Sequence, residues 1–407
     1  MAWYERGSAG YRRMLAALVM AGIGTFAQLY SPQAVLPDIA RDFGVDATAS
    51  ALTISAATVG LAVGVIPWSL VGDRIGRAQA MSVSLAAATV LGILAPLLPW
   101  FPAMLAARAL AGLFLGGTPV LAIAYLTEGV HPADRARAAG VYVAGNTVGG
   151  LLGRILAGPL AEVAGWRLGV LSVAVIGAAS AVAFIVLAPR TPARPAAAAA
   201  SAGPADPAPP PPAEASAGLA RTLATHLRSR RQLALYAQAF LLMGGFVAMY
   251  NYLGFRLEAP PFLLPTTAIS LMFLAYLAGT WSSAQAGAAA ARFGRRGVLL
   301  ASTVVMIAGV AITLADALWL VLVGLVVATG GFFAAHAIAS GWTGHDAAVG
   351  RAQAASLYNL AYYAGSSLFG WLGGFFFLAG GWPGAAAMVG ALAALAIGIA
   401  ATLPRRA

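Results

Sequence analysis

The chain has 407 residues, 60% of them hydrophobic and only 9% charged, with a mean hydropathy of +0.83. A water-soluble domain carries about a quarter charged residues, so a soluble protein is excluded and lipid has to be treated as the solvent. There is no cysteine, which removes disulfide frameworks and thiolate metal sites, and every one of the 24 basic residues is arginine, which removes any lysine-dependent phosphate loop.

A membrane-crossing helix needs ~20 mainly apolar residues. Apolar runs of that kind fall near 14–36, 47–70, 79–98, 103–126, 138–160 and 168–187. After a long polar break they resume near 232–254, 266–288, 298–314, 318–340, 353–377 and 384–403. The pattern predicts an all-α polytopic membrane protein with twelve crossings. Its parts are an N-terminal six-helix half (1–187), an Ala/Pro-rich linker (188–231) and a C-terminal six-helix half (232–407). Pro67, Pro96 and Pro119 within spans supply kinks. The polar stretch Met1–Arg13 runs into a full-length span without a small-residue cleavage site, so no removable signal peptide is read there.

Arginine placement gives the orientation. With the N-terminus inside, nineteen arginines fall on the cytoplasmic side, three (Arg41, Arg167, Arg256) fall outside, and Arg108 and Arg154 lie within spans. The positive-inside rule then puts both termini in the cytoplasm of a bacterial inner-membrane protein. It also turns the net charge of +11 toward anionic lipid and away from nucleic acid. In the linker, Thr191 to Gly218 is too rich in Ala and Pro to bury a core and reads as a disordered or partly extended tether. Leu219 to Arg231 reads as a short amphipathic surface helix or as plain linker.

The two halves repeat. At an offset of 216 residues, Arg135 matches Arg351, Tyr142 matches Tyr358, Gly149 matches Gly365, Gly158 matches Gly374, and Gly165-Trp166 matches Gly381-Trp382. The charged turn Gly72-Asp73-Arg74-Ile75-Gly76-Arg77 returns 218 residues later as Ala290-Ala291-Arg292-Phe293-Gly294-Arg295. Parallel halves related by an axis along the membrane normal are a secondary-transporter architecture.

On these motifs the chain resembles the major facilitator superfamily over essentially its whole length. Asp73, Arg74, Gly76 and Arg77 match that family's loop signature, with Ser69 and Ala78 departing from it; Arg292, Gly294, Arg295 and Arg296 match in the second copy, with Ala291 in place of the acid. The resemblance implies a conformational latch at Asp73, Arg74, Gly76 and Arg77, with Arg292 and Arg295 as its second copy. Arg108-x-x-x-Gly112 resembles the arginine motif tied to proton coupling, with Ala111 where glutamine is usual. Gly145 and Gly158-Pro159 resemble the antiporter motif of the fifth span, which Arg154, Glu162 and Val163 interrupt. Leu242 to Phe246, Asn251 to Leu257, Gly279 to Ser283 and Gly149 to Arg154 look like the YnfM-type, drug-or-sugar efflux subgroup.

Ionisable groups at membrane depth are functional candidates. None of the thirteen acids falls at mid-span, which disfavours a cationic cargo and favours a neutral, amphipathic or anionic one. Arg154, some sixteen residues into the fifth span, needs an anion, Glu162 or helix carbonyls to offset a cost of ~2.5–3.5 kcal/mol. Arg108 lies near the outer end of its span, within reach of snorkelling. His336 is the one intramembrane histidine and a candidate proton carrier. Gln28, Tyr30 and Gln33, then Asn146, then Tyr250, Asn251 and Tyr252, and finally Tyr358, Asn359 and Tyr362 are candidates to line a central cavity. The expected function is a proton-linked exporter of small solutes. It needs no cofactor beyond the proton gradient, is not an enzyme, works as a monomer among lipids and has no nucleic-acid partner. Uptake by symport or uniport is the alternative on the same fold, and a non-transporting receptor the remote one.

Overall fold

A computed structural model describes residues 4–189 and 212–404. Most of the Ala/Pro-rich tether therefore lies outside the described residues. Among those described the architecture is helical, and the one extended pairing is an isolated bridge between Tyr4 and Val130.

The first crossing is α1 (Ala9–Tyr30), a 3-10 segment (Ser31–Val35) and α2 (Leu36–Phe43). Pro32 and Pro37 stand near the starts of the second and third pieces, where a missing N–H costs least. The next crossings are α3 (Ala47–Ile75), α4 (Arg77–Leu94), the pair α5 (Phe101–Leu115) and α6 (Gly117–Gly129), α7 (Arg135–Ala164) and α8 (Trp166–Leu187). Then come α9 (Pro212–Arg228), α10 (Arg230–Glu258), α11 (Thr266–Leu271), α12 (Tyr276–Phe293), α13 (Arg295–Ile312), α14 (Leu318–Asp346) and α15 (Arg351–Ala400).

Among the described residues ten segments are long and apolar enough to cross a membrane. One of them, α15, is two crossings, because Gly380 and Gly381 leave helical geometry and turn the chain back. The α11–α12 unit, joined by a 3-10 segment, completes the twelve. Two boundaries differ from the sequence reading. The eighth crossing is a broken helix from 266 to 293, and a regular helix, α9, occupies much of the stretch read as tether or surface segment.

The repeat is visible in the backbone. Gly76 and Gly294 hold φ of 90° and 78° between consecutive helices, and Gly165 and Gly381 hold 87° and 59° before their tryptophans. These are left-handed conformations that a side chain disfavours. Within the first half, α7 lies against α1 through Gly145, Gly149 and Gly153; a β-carbon at Gly149 would collide with the backbone of Ile23. Gly365, the repeat partner of Gly149, meets the backbone of Phe240 on α10 in the same way. Small residues of this kind let helices approach closely enough for dispersion to hold them in lipid.

The two halves touch unevenly. Most arginines gather at one end of the bundle. At the other end, which we call the far end, α2 meets α10, α3 meets α15 and α7 meets α11. Gly158 packs on Ser270 and Gly374 on Thr48, so the matched glycines are points of close approach between halves.

Candidate functional site

At the far end, Arg41 forms ion pairs with Asp38 of its own half and with Glu258 of the other. Thr266 donates to Asp38 at 3.3 Å, and the backbone N–H of Thr267, in the first turn of α11, donates to Glu162 at 2.9 Å. Farther in, Ser367 lies 2.6 Å from the hydroxyl of Thr58, and Ser55 donates to the Ser367 carbonyl.

Mid-membrane, the seam is a polar chain enclosed by rings. Arg154 donates through Nε to Gln33 Oε1 (2.7 Å) and through Nη1 to the Gly150 carbonyl (2.7 Å). Gln33 passes the chain on to Asn251 (2.8 Å), which donates to the Gly370 carbonyl (3.2 Å). The Arg154 guanidinium lies over Tyr30 at 4.2 Å, with Tyr276 at 5.0 Å and Phe273 at 5.1 Å from the second half. Each ring contact contributes about 0.5–2 kcal/mol and each charged hydrogen bond about 1.5–3 kcal/mol. Together these exceed the ~2.5–3.5 kcal/mol cost of the buried cation. Glu162, considered from sequence as its partner, is engaged at the first turn of α11 instead.

Arg108 is buried at 2% exposure and does not snorkel. It donates to the carbonyls of Gln28 (2.9 Å), Leu29 (2.5 Å) and Thr53 (3.2 Å). Gln28 and Leu29 end α1, where helix carbonyls lose their own partners. Arg108 therefore ties the break in the first crossing to α3.

The tyrosine set divides. His336 Nδ1 is 3.0 Å from the Tyr358 hydroxyl, and its ring packs on Phe332 and Tyr362. His336, Tyr276, Tyr362, Tyr363 and Phe26 are only half-buried although they stand inside the bundle, so they border internal space. Tyr250 bonds Thr329 within the second half, and Tyr252 bonds the Gly370 carbonyl. Asn146 is half-buried beside Gly22 of α1, while Asn359 is exposed. Gln28 lies away from the seam, against Thr89, Gly92 and Gly177 in the first half, because its amide N–H donates to the Gly24 carbonyl of α1 and the Thr89 hydroxyl of α4. Sequence reasoning missed Phe273 and Tyr276. Their aromatic spacing in the eighth crossing was the available signal, hidden by the break in that helix.

At the arginine-rich end the charged turn stays within its own half. Arg77 pairs with Asp73 (2.6 Å) and with Glu128 (3.0 Å), and Arg74 is exposed. In the second copy, Arg296 donates to the Leu403 carbonyl, and Arg295 borders a cleft of about 950 Å³ between α12 and α14 that includes Ala291, Gly294 and Trp342.

A family model for the Major Facilitator Superfamily matches residues 15–265. The chain belongs to that superfamily. It is 36% identical to the inner membrane transport protein YnfM of Escherichia coli (strain K12), covering 99% of this chain and 93% of that protein. It is 33% identical to the MFS-type transporter YybF of Bacillus subtilis (strain 168), covering 100% and 96%. Among solved structures, a bacterial homologue of the human lysosomal transporter Spinster, inward-facing and unoccupied, superposes with a TM-score of 0.74 at 17% identity, covering 97% and 95%. The twelve-crossing fold and membership of a transporter family, rather than of an enzyme family, follow from these likenesses.

Proposed function

We propose that this chain is a secondary carrier of the bacterial inner membrane that moves a small neutral, amphipathic or anionic solute outward by alternating access, in exchange for protons. The observation that carries the reading is the uneven seam. The halves are bonded from mid-membrane to the far end, whereas the charged turn at the arginine-rich end pairs within its own half. With the arginine-rich end in the cytoplasm, this arrangement is the inward-facing member of an alternating pair. The name of the Escherichia coli relative favours the inner membrane. In this reading Arg154 and the half-buried aromatic groups receive the cargo, and the proton goes to His336, the one histidine bordering the internal space, through the ring nitrogen that Tyr358 does not face. Arg108, with its nitrogens on carbonyls, serves as a clamp. The chain works as a monomer without a cofactor.

Everted membrane vesicles test it. An imposed gradient, acid inside, should drive accumulation of a transported dye, and His336→Gln should abolish the response to the gradient. Accumulation that ignores every gradient would refute proton exchange, and accumulation driven by the opposite gradient would establish uptake.

A further inference from the structure

The two buried arginines differ in one respect that bears on the cargo. Arg108 spends Nε, Nη1 and Nη2 on three carbonyls. Arg154, as deeply buried, spends Nε on Gln33 and Nη1 on Gly150, and its Nη2 has no hydrogen-bond partner among the described residues. That nitrogen is also not among the polar atoms sealed from solvent without a partner, so it keeps surface of its own inside the protein. Among the described residues no carboxylate bonds the guanidinium. The side toward the arginine-rich end is left open by Gly150, where a β-carbon would meet only Nη1 at 3.2 Å and Phe26 at 4.0 Å.

We propose that the site takes an amphipathic monoanion, a carboxylate or sulfonate carried on a flat apolar body. The anionic head sits on Arg154 Nη2 and the body lies among Phe26, Tyr276 and Tyr362. The proposal rests on the reading of the central seam as the transport site. Charge-assisted hydrogen bonds are the stronger kind, and a guanidinium presents its donors in a fork suited to an oxyanion. The rings already gathered at the guanidinium show that flat apolar surface packs there, and an aromatic body extends that stack. A cationic cargo finds no acid among these groups and would meet the unpaired charge of Arg154.

Calorimetric titration of the purified full chain with naphthalene-2-sulfonate and with naphthalene-2-sulfonamide separates charge from shape, because the sulfonate keeps its charge at any working pH. The sulfonate should bind at least about tenfold more tightly, a preference the size of one good charged hydrogen bond. Arg154→Gln should bring the two probes within about twofold of each other, and Arg154→Lys should keep part of the preference. Equal binding of both probes by the native chain, binding of neither, or a preference that survives Arg154→Gln would overturn the proposal; the first two readings need no variant to fold. Proteoliposomes tell this proposal from the carrier reading. Selective binding without movement of the sulfonate refutes the carrier and leaves the anion site standing, whereas equal movement of both probes refutes the anion site and leaves the carrier.

Discussion

Arg108 and Arg154 carry the same charge at similar burial, 2% and 3% exposed, yet they satisfy it from different sources. Arg108 uses backbone carbonyls at the end of α1, where the chain passes into a 3-10 turn, so its removal takes a charged donor from each, although the Gln28 carbonyl keeps the Ser31 hydroxyl. Replacing it with leucine forfeits three charged hydrogen bonds and regains the desolvation of one cation. The net loss should be about 2–4 kcal/mol, seen as a lower thermal midpoint in detergent. Unchanged stability with impaired proton response would instead give Arg108 the coupling role that its motif implies. Both arginines were legible as anomalies, since a charge in an apolar run stands out. Their partners were not, because a carbonyl freed by a helix break carries no side-chain signature. The ring contacts of Arg154 come from residues more than a hundred positions away.

At the scale of helices, the seam is set by paired glycines. Gly158 lets α7 approach α11 at Ser270, and its repeat partner Gly374 lets α15 approach α3 at Thr48. Neither neighbour is the free end of a long side chain, so an added methyl has to part the helices. Overpacking of this kind costs about 1–3 kcal/mol, and only the state closed at the far end bears it. Gly158→Ala should therefore shift the population toward the state open there by roughly five- to a hundredfold. The chain's lack of cysteine makes this measurable. Cysteines introduced at Glu162 and Thr267, which touch in the present state, should cross-link less when Gly158→Ala is added; an unchanged yield would mean the helices absorb the methyl in place. The repeat itself was readable, because Gly165, Gly381, Gly76 and Gly294 occupy backbone conformations that confine the choice of residue. The broken eighth crossing was less so. Residues 272–275 are as apolar as a regular helix, and their 3-10 geometry comes with packing against α14. Regular structure in α9 was also hidden by composition, for alanine favours a helix as readily as a tether.

For the whole molecule, the proposed cycle has the charged groups at the two ends act on one equilibrium from opposite sides. At the far end, Arg41 pairs with Asp38 beside it and with Glu258 across the seam, but it is 57% exposed, so the cross-seam pair contributes at most about 1 kcal/mol and salt weakens it. At the arginine-rich end, Asp73 is equally exposed and, among the described residues, bonded only to Arg77 of its own half, which in the proposed cycle leaves it available to close that end when the halves rock. The second copy has Ala291 and lacks the acid, so the proposed closure would depend on the first copy. Arg41→Ala should then raise the fraction open at the far end by up to about fivefold. Asp73→Asn should lower it, slowing turnover with little change in cargo affinity. The two residues lie at opposite ends of the bundle and share no partner, so the double variant should return close to the native distribution, the two free energies adding within about 0.5 kcal/mol. Spin-label distances from cysteine pairs at each end read the population directly. A double variant that follows either single one would mean the ends do not share a two-state equilibrium, and rocking of rigid halves would have to give way to independent local gates. Arg154 supplies the internal check. It touches residues of both halves at the level between the two ends, so Arg154→Gln should raise the far-end-open population in native and double-variant backgrounds alike.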